Sequence, residues 1–353
     1  MYFNRYWYEY MKIKTINCKS YTLTLKQTLQ NAKNQYSKKD GFIIEIITNH
    51  EIGYGDISPL QGFSKETIQE IGWTFQAFLK TIDFNIDYSF DEILDLVEIH
   101  CSEIPSLHFA MDTALYDIKG KKHNMPISKL LNPKCNNQIK LSSIYLHGNV
   151  IKKLGVNCIK YKLGMRPIDQ DIKILHSISK HNPSIKFRFD ANQCYTLEIF
   201  ITIYQQLKSF NIDYFEEPIK KPDKNILQKI KKQSNANIAI DESIHDGNNY
   251  ASWIRAGLID VVIIKPSIFG GYKKILTLCQ LCKQHQIKII LSSSLESSLG
   301  NMATMHLAAA IENNHEHGLN IYDFYDHFIA SPIYTKNQSS VTFNQITGLG
   351  LKL

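Results

Sequence analysis

Five ionisable residues recur along the second half of the chain at nearly constant intervals. Lys162, Asp190, Glu216, Asp241 and Lys265 are separated by 28, 26, 25 and 24 residues. Each follows a short apolar or aromatic run: Cys158-Ile-Lys-Tyr-Lys, Ile185-Lys-Phe-Arg-Phe-Asp, Asp213-Tyr-Phe-Glu-Glu-Pro, Ile238-Ala-Ile-Asp-Glu-Ser and Val261-Val-Ile-Ile-Lys-Pro. Intervals of this length fit one strand plus one crossover helix, so the same register point returns on consecutive parallel strands. Three carboxylates brought to that point repel one another unless a cation compensates them. Hard oxygen donors without a His or Cys cluster favour Mg²⁺ over Zn²⁺. Lys160 and Lys162 stand two apart and share one face of their strand. Burial and mutual repulsion are expected to lower their pKa values, which would make a lysine a base at neutral pH. Lys265 is placed to approach from the opposite side. A divalent cation between lysines suits removal of a proton next to a carboxylate, because the cation stabilises the charge that gathers on the enediolate oxygens.

Eight strand candidates alternate with amphipathic helical stretches after about Ile139. The remaining three begin at Leu141, Ile287 and Asn320. Eight βα units close into a barrel whose strand C-terminal ends carry the active site. Before it, Met11–Cys18 and Gly41–Thr48 read as strands, with the polar, Lys-rich segment 26–39 as the loop between them. Ser64–Leu96 and Pro105–Lys122 read as helices, the latter with Ser106 as N-cap. The fold class expected is therefore α/β.

The length of 353 residues suits about two domains, and 44% hydrophobic content excludes wholesale disorder. No run of about 18 apolar residues is present and the N-terminus lacks the apolar core of a signal peptide, so a cytoplasmic protein without a membrane span is expected. A net charge of +7 comes from scattered lysines rather than one basic face, which argues against a nucleic-acid partner. Seven dispersed cysteines suit reduced thiols. Cys279 and Cys282, with His285 beyond, lack the second pair a zinc site needs and read as buried helix positions. His315 and His317 fall in a polar stretch and read as surface residues, and Asp323 as a rim residue or helix cap.

Lys160-Tyr-Lys162, Asp190-Ala-Asn-Gln, Glu216-Glu-Pro, Asp241-Glu-Ser and Lys265-Pro together resemble the muconate-cycloisomerase-like branch of the enolase superfamily. Within it, Gly55-Asp-Ile-Ser-Pro-Leu-Gln-Gly-Phe-Ser, Lys265-Pro-Ser-Ile-Phe-Gly-Gly and Ser292-Ser-Ser-Leu-Glu-Ser-Ser-Leu-Gly300 look most like the o-succinylbenzoate synthases of menaquinone biosynthesis. The resemblance implies a modified TIM barrel (136–325) under an α+β capping domain (11–135, joined by the C-terminal tail 326–353), with residues 1–10 as an added tail. It implies a carbon–oxygen lyase acting on a small-molecule carboxylate, by syn elimination of water from 2-succinyl-6-hydroxy-2,4-cyclohexadiene-1-carboxylate. Lys162 would take the α-proton and return it to the departing hydroxyl, Lys265 would stabilise the enediolate, and Lys160 would tune Lys162 and contact the substrate carboxylate. Asp190, Glu216 and Asp241 would hold Mg²⁺, with Mn²⁺ able to substitute. Asn192 and Glu242 would support that shell, Ser292, Ser293 and Ser294 would hydrogen-bond a substrate carboxylate or cap the next helix, and Glu296 would contact substrate or be structural. The same lysine pair would also serve an N-succinylamino acid racemase or a dipeptide epimerase, and a non-catalytic binding protein on the same fold is a more distant alternative. Two features depart from the family pattern: Asp56 stands where Glu is common, and segment 26–39, which closes over substrate in the family, has no arginine.

Overall fold

Alternating apolar positions dominate the first strands, and they pair into an antiparallel sheet. Strands β1 (Ile13–Gln30), β2 (Gln35–Thr48) and β3 (Ile52–Ile57) are neighbours in that order. The structure is a computed structural model describing residues 10–30, 35–146, 155–245, 249–335, 338–343 and 345–353, without the side chains of Gln30 and Asp323. Segment 26–39 differs from the expected loop. All but residues 31–34, which lie outside the described ones, belongs to the two long strands, whose register shifts between Thr24 and Leu29. Polar composition misled here because only alternate positions face inward: Leu25, Leu29 and Tyr36 pack toward the core and Lys39 is buried, while the described residues between them stand in water.

Helices α1 (Ile68–Leu79), α2 (Phe90–Cys101) and α3 (Pro105–His123) cover this sheet, burying Ile71, Phe75, Ile93 and Val97 with Ile44 and Ile46. Capping boxes start the first two: Thr67 with Glu70, and Ser89 with Glu92. The third differs from expectation. Ile104 is its N-cap and Pro105 opens the first turn, while the Ser106 amide donates to Glu66 Oε1 at 3.1 Å. Proline pre-set for the first helical position displaced the serine from the capping place.

Strand β4 (Gln138–Leu141) leads into a curved, wholly parallel sheet. Its members, in order, are β5 (Ser143–Tyr145), β6 (Cys158–Lys162), β7 (Lys186–Asp190), β8 (Ile212–Glu216), β9 (Ile238–Ile240), β10 (Val261–Ile264) and β11 (Lys288–Leu291). The eighth unit departs from expectation: Ile321–Asp323 is a single 3₁₀ turn, and the strand is Glu316–His317 (β12). It pairs parallel with β4, and Gly318 bridges to Ser292 at the end of β11, so the ring closes through β4. His317 is therefore fully buried, its Nδ1 accepting from the Leu291 amide at 3.0 Å, and His315 is half-buried. Cys279 and Cys282 lie in the core on a helix spanning Tyr272–Gln284. Among the described residues no helix is long and apolar enough to cross a membrane.

Candidate active site

Strand register brings the ionisable residues together. Lys162 is the register partner of Asp190, and Asp190 of Glu216, so the three stand at one level of the barrel. One layer below, Lys160 partners Arg188. Lys160 Nζ lies 2.8 Å from Asp190 Oδ2 and 2.6 Å from Glu216 Oε1, bridging the two carboxylates. Lys162 Nζ donates to Asp190 Oδ2 and to Asn192 Oδ1, both at 2.6 Å. Asn192 Nδ2 in turn donates to Glu242 Oε1 at 2.8 Å. On the other side Lys265 donates to Asp241 Oδ2, and the Phe63 ring of the N-terminal domain covers its ammonium at 4.6 Å.

The Lys160 pKa shift runs opposite to expectation. Burial works against the charge of Lys160, yet Asp190, Glu216 and Asp241 outweigh it and raise its pKa well above the ordinary value. Lys265 is raised the same way, chiefly by Asp241 against burial. Mutual repulsion between ammoniums counts for less than a carboxylate within hydrogen-bond reach. The carboxylates divide. Against the opposing effect of burial, Lys160 and Lys162 hold Asp190 low, and Lys265 holds Asp241 low. Burial and then neighbouring acids push Glu216, Glu217 and Glu242 up.

This donor set fits a divalent cation on two observations. Glu216 Oε2, Asp241 Oδ1 and Glu242 Oε2 are buried and lack hydrogen-bond partners, and such orphan oxygens are costly. Formally, five largely buried carboxylates (Asp190, Glu216, Glu217, Asp241, Glu242) against three lysines carry an excess of two negative charges, the charge of one such ion, and the upward shifts of Glu216, Glu217 and Glu242 express that crowding alongside burial. Among the described residues no three acidic, His or Cys side chains already converge as ligands, because ammonium groups stand between the carboxylates.

A cavity of about 350 Å³ opens above these groups. Its roof comes from the N-terminal sheet and the loop after it, through Gln27, Thr28, Leu29, Tyr36, Leu60 and Phe63. Lys26 fastens that roof to the barrel, its Nζ donating to the Tyr322 carbonyl at 2.8 Å and pairing with Asp326 at 3.1 Å. Ser292, Ser293 and Ser294 all line the cavity. Glu296, 2% exposed, is a brace for that loop: its Oε2 accepts from Ser293 Oγ, Ser294 N and Ser294 Oγ, and its Oε1 from Asn301. Asp56 is 1% exposed and away from the cavity lining, accepting from Tyr21 Oη and from the Ser297 amide, each at 2.8 Å. The shorter side chain thus ties the N-terminal domain to the start of a barrel helix. The side chain of Asp323 lies outside the described residues.

Sequence reasoning expected segment 26–39 over the substrate but did not single out Leu29, Tyr36, Leu60 or Phe63 as lining residues, since they carry no ionisable signal. It also passed over Arg188, 1% exposed on the cavity floor, although its place two before Asp190 puts both on one strand face.

Residues 148–353, more than half of the chain, match the family model described as enolase C-terminal domain-like. The chain belongs to the enolase superfamily. Residues 13–118 match a second model, that of the MenC N-terminal domain. This superfamily member is 29% identical over 314 residues to a hydrophobic dipeptide epimerase of Enterococcus faecalis, covering 86% of this chain and 88% of that one. It is 27% identical over 307 residues to an o-succinylbenzoate synthase of Vibrio cholerae, covering 82% and 83%. Its fold matches that of the dipeptide epimerase from Enterococcus faecalis solved with Mg and the dipeptide L-Leu-L-Tyr, with a TM-score of 0.85, 26% identity, and coverage of 97% and 100%. Relatives of both activities are thus about equally similar to this chain.

Proposed function

We propose that the protein is a cytoplasmic, Mg²⁺-dependent o-succinylbenzoate synthase, and that one observation favours this over dipeptide epimerisation. Among the described residues, the cavity wall beyond Asp190 and Glu216 has hydroxyls, amides and hydrocarbon but no Asp or Glu. A dipeptide brings an ammonium that a closed site must pair with a carboxylate, since an unpaired buried charge is very costly. The cyclohexadiene dicarboxylate brings no cation. The segments 31–34 and 147–154, outside the described residues, contain no acidic residue, whereas Asp323, whose side chain also lies outside them, stands in sequence between the lining residues Asn320 and Phe324 and would be the partner for such an ammonium in an epimerase.

On this reading Asp190, Glu216 and Asp241 hold Mg²⁺, with Mn²⁺ as a substitute. The ion would supply Lewis-acid stabilisation of carboxylate oxygens as α-proton removal charges them. Lys162, oriented by Asn192, takes the α-proton and delivers it to the departing hydroxyl on the same face, which makes the elimination syn. Lys265, held from the other side by Phe63, stays charged and stabilises the enediolate electrostatically. Lys160 neutralises the carboxylates beneath and contacts the substrate carboxylate. The roof residues Leu29, Tyr36 and Phe63 exclude water from the intermediate.

A second reading is supported by the epimerase relatives and by the two lysines reaching the site from different strands: Lys162 and Lys265 as paired bases for a 1,1-proton transfer. An N-succinylamino acid also lacks an ammonium, so racemisation of such a substrate fits the same wall. Incubation in deuterated water separates these. Dehydration yields an aromatic ultraviolet chromophore from the cyclohexadiene substrate, whereas racemisation places deuterium at the α-carbon of recovered substrate. Exchange into a dipeptide that is lost in Asp323→Asn, without chromophore formation in the wild type, would overturn the synthase reading.

A further inference from the structure

Glu217 follows Glu216 in a left-handed conformation (φ 42°) that a non-glycine residue adopts only when its surroundings over-determine it. It is 1% exposed, and both of its carboxylate oxygens are filled. Oε1 accepts from the Asp241 and Ser243 amides, each at 2.8 Å, and Oε2 from Ser243 Oγ at 2.8 Å and Gln193 Nε2 at 2.9 Å. Its backbone adds two more bonds: its amide donates to the Ala239 carbonyl at 2.9 Å, and its carbonyl accepts from the Gln193 amide at 2.7 Å. One residue therefore ties the chain after Asp190 and the chain around Asp241 to the end of β8, where Glu216 sits.

We infer that Glu217 is the positioning residue of the cation site: by gathering the two neighbouring strand ends onto one carboxylate, it sets the spacing of Asp190, Glu216 and Asp241. This rests on the reading that those three bind a divalent ion. Mg²⁺ demands a near-ideal octahedron at short distances, so small displacements of a strand end cost affinity steeply. Glu217 touches neither ion nor substrate and acts through the amides and side chains that it holds.

Titration of Mn²⁺ into the protein, followed by the electron paramagnetic resonance signal of the free ion, tests this without any turnover. Glu217→Ala should bind 10–100-fold more weakly, the usual loss when a partner of a ligand's surroundings is removed. Glu217→Gln keeps Oε1 as acceptor for both amides, and it should stay within a few-fold of wild type. Gln193→Ala and Ser243→Ala each remove side-chain bonds from the hub and should weaken binding measurably while retaining the wild-type melting profile. They keep the test open should Glu217→Ala not fold. Wild-type affinity in Glu217→Ala, unchanged affinity in both Gln193→Ala and Ser243→Ala, or equal losses in the Gln and Ala variants of Glu217 would overturn the positioning role alone. Absence of Mn²⁺ binding by the wild type would overturn the cation-site reading, and this inference with it.

Discussion

Lys160 sits between two carboxylates that are each about 1% exposed, and its own side chain is 19% exposed. Removing one partner of such a cluster leaves buried charge uncompensated, a loss on the order of 3–5 kcal/mol. Lys160→Ala should therefore lower the melting temperature, and added Mg²⁺ should restore more of it than it adds to the wild type, because the ion replaces the lost positive charge. Equal Mg²⁺-induced shifts in differential scanning fluorimetry would contradict this. Lys162→Ala should leave the fold intact and reduce dehydration by roughly 10²–10⁴, the usual contribution of a positioned base; retained turnover would remove Lys162 from that role. These residues were legible because strand register converts constant spacing into spatial convergence. Their protonation was not legible, since spacing gives neighbours but not distances, and Lys160 was expected to be lowered where the 2.6 Å contact with Glu216 helps raise it. Glu296 and Asp56 show the same limit: an acid in a motif reads alike whether it faces a cavity or clamps backbone amides.

At the scale of elements, seven of the eight expected strands are parallel members of one sheet, and short apolar or aromatic runs found them because both faces of such a sheet are buried. The eighth was misplaced by a few residues: Asn320-Ile-Tyr-Asp-Phe has strand-like composition, but Asn320 caps a 3₁₀ turn, its Oδ1 accepting from the Tyr322 amide at 3.1 Å. The helix Ser298–Ala310 carries His306, fully buried, whose Nδ1 accepts from the Ser128 amide and whose Nε2 donates to the Leu349 carbonyl. Burial pushes this imidazole down to about 4. Between that value and the ordinary 6.5 the unfolded chain binds a proton that the folded chain refuses, so stability falls as pH falls through this window. The expected contribution is at most about 3 kcal/mol. Urea midpoints measured from pH 7 to 4.5 should fall less steeply for His306→Gln than for the wild type, and parallel curves would refute the assignment.

Across the whole molecule, the two domains are joined by acids of one capping helices of the other. Asp56 accepts from the Ser297 amide at the start of one barrel helix, and Asp112 of α3 accepts from the Tyr272 amide at the start of another, both at 2.8 Å. Helix N-termini favour such carboxylates, but both are removed from water. Burial pushes Asp112 up to about 7, only partly offset by the Tyr272 amide and reinforced by Glu98. His108, 3.7 Å away, is itself lowered by burial and supplies little compensating charge at neutral pH. From the ordinary aspartate value to about 7 the folded chain holds a proton that the unfolded chain has released, so Asp112 costs stability progressively as pH rises through that window. Asp112→Asn keeps an oxygen for the Tyr272 amide and carries no charge. The variant should gain on the wild type between pH 5 and pH 8, by on the order of 2–4 kcal/mol at the upper end. A gap between the two urea stability curves that stays constant over this range would show that Asp112 remains ionised throughout and that the docking contact tolerates its charge.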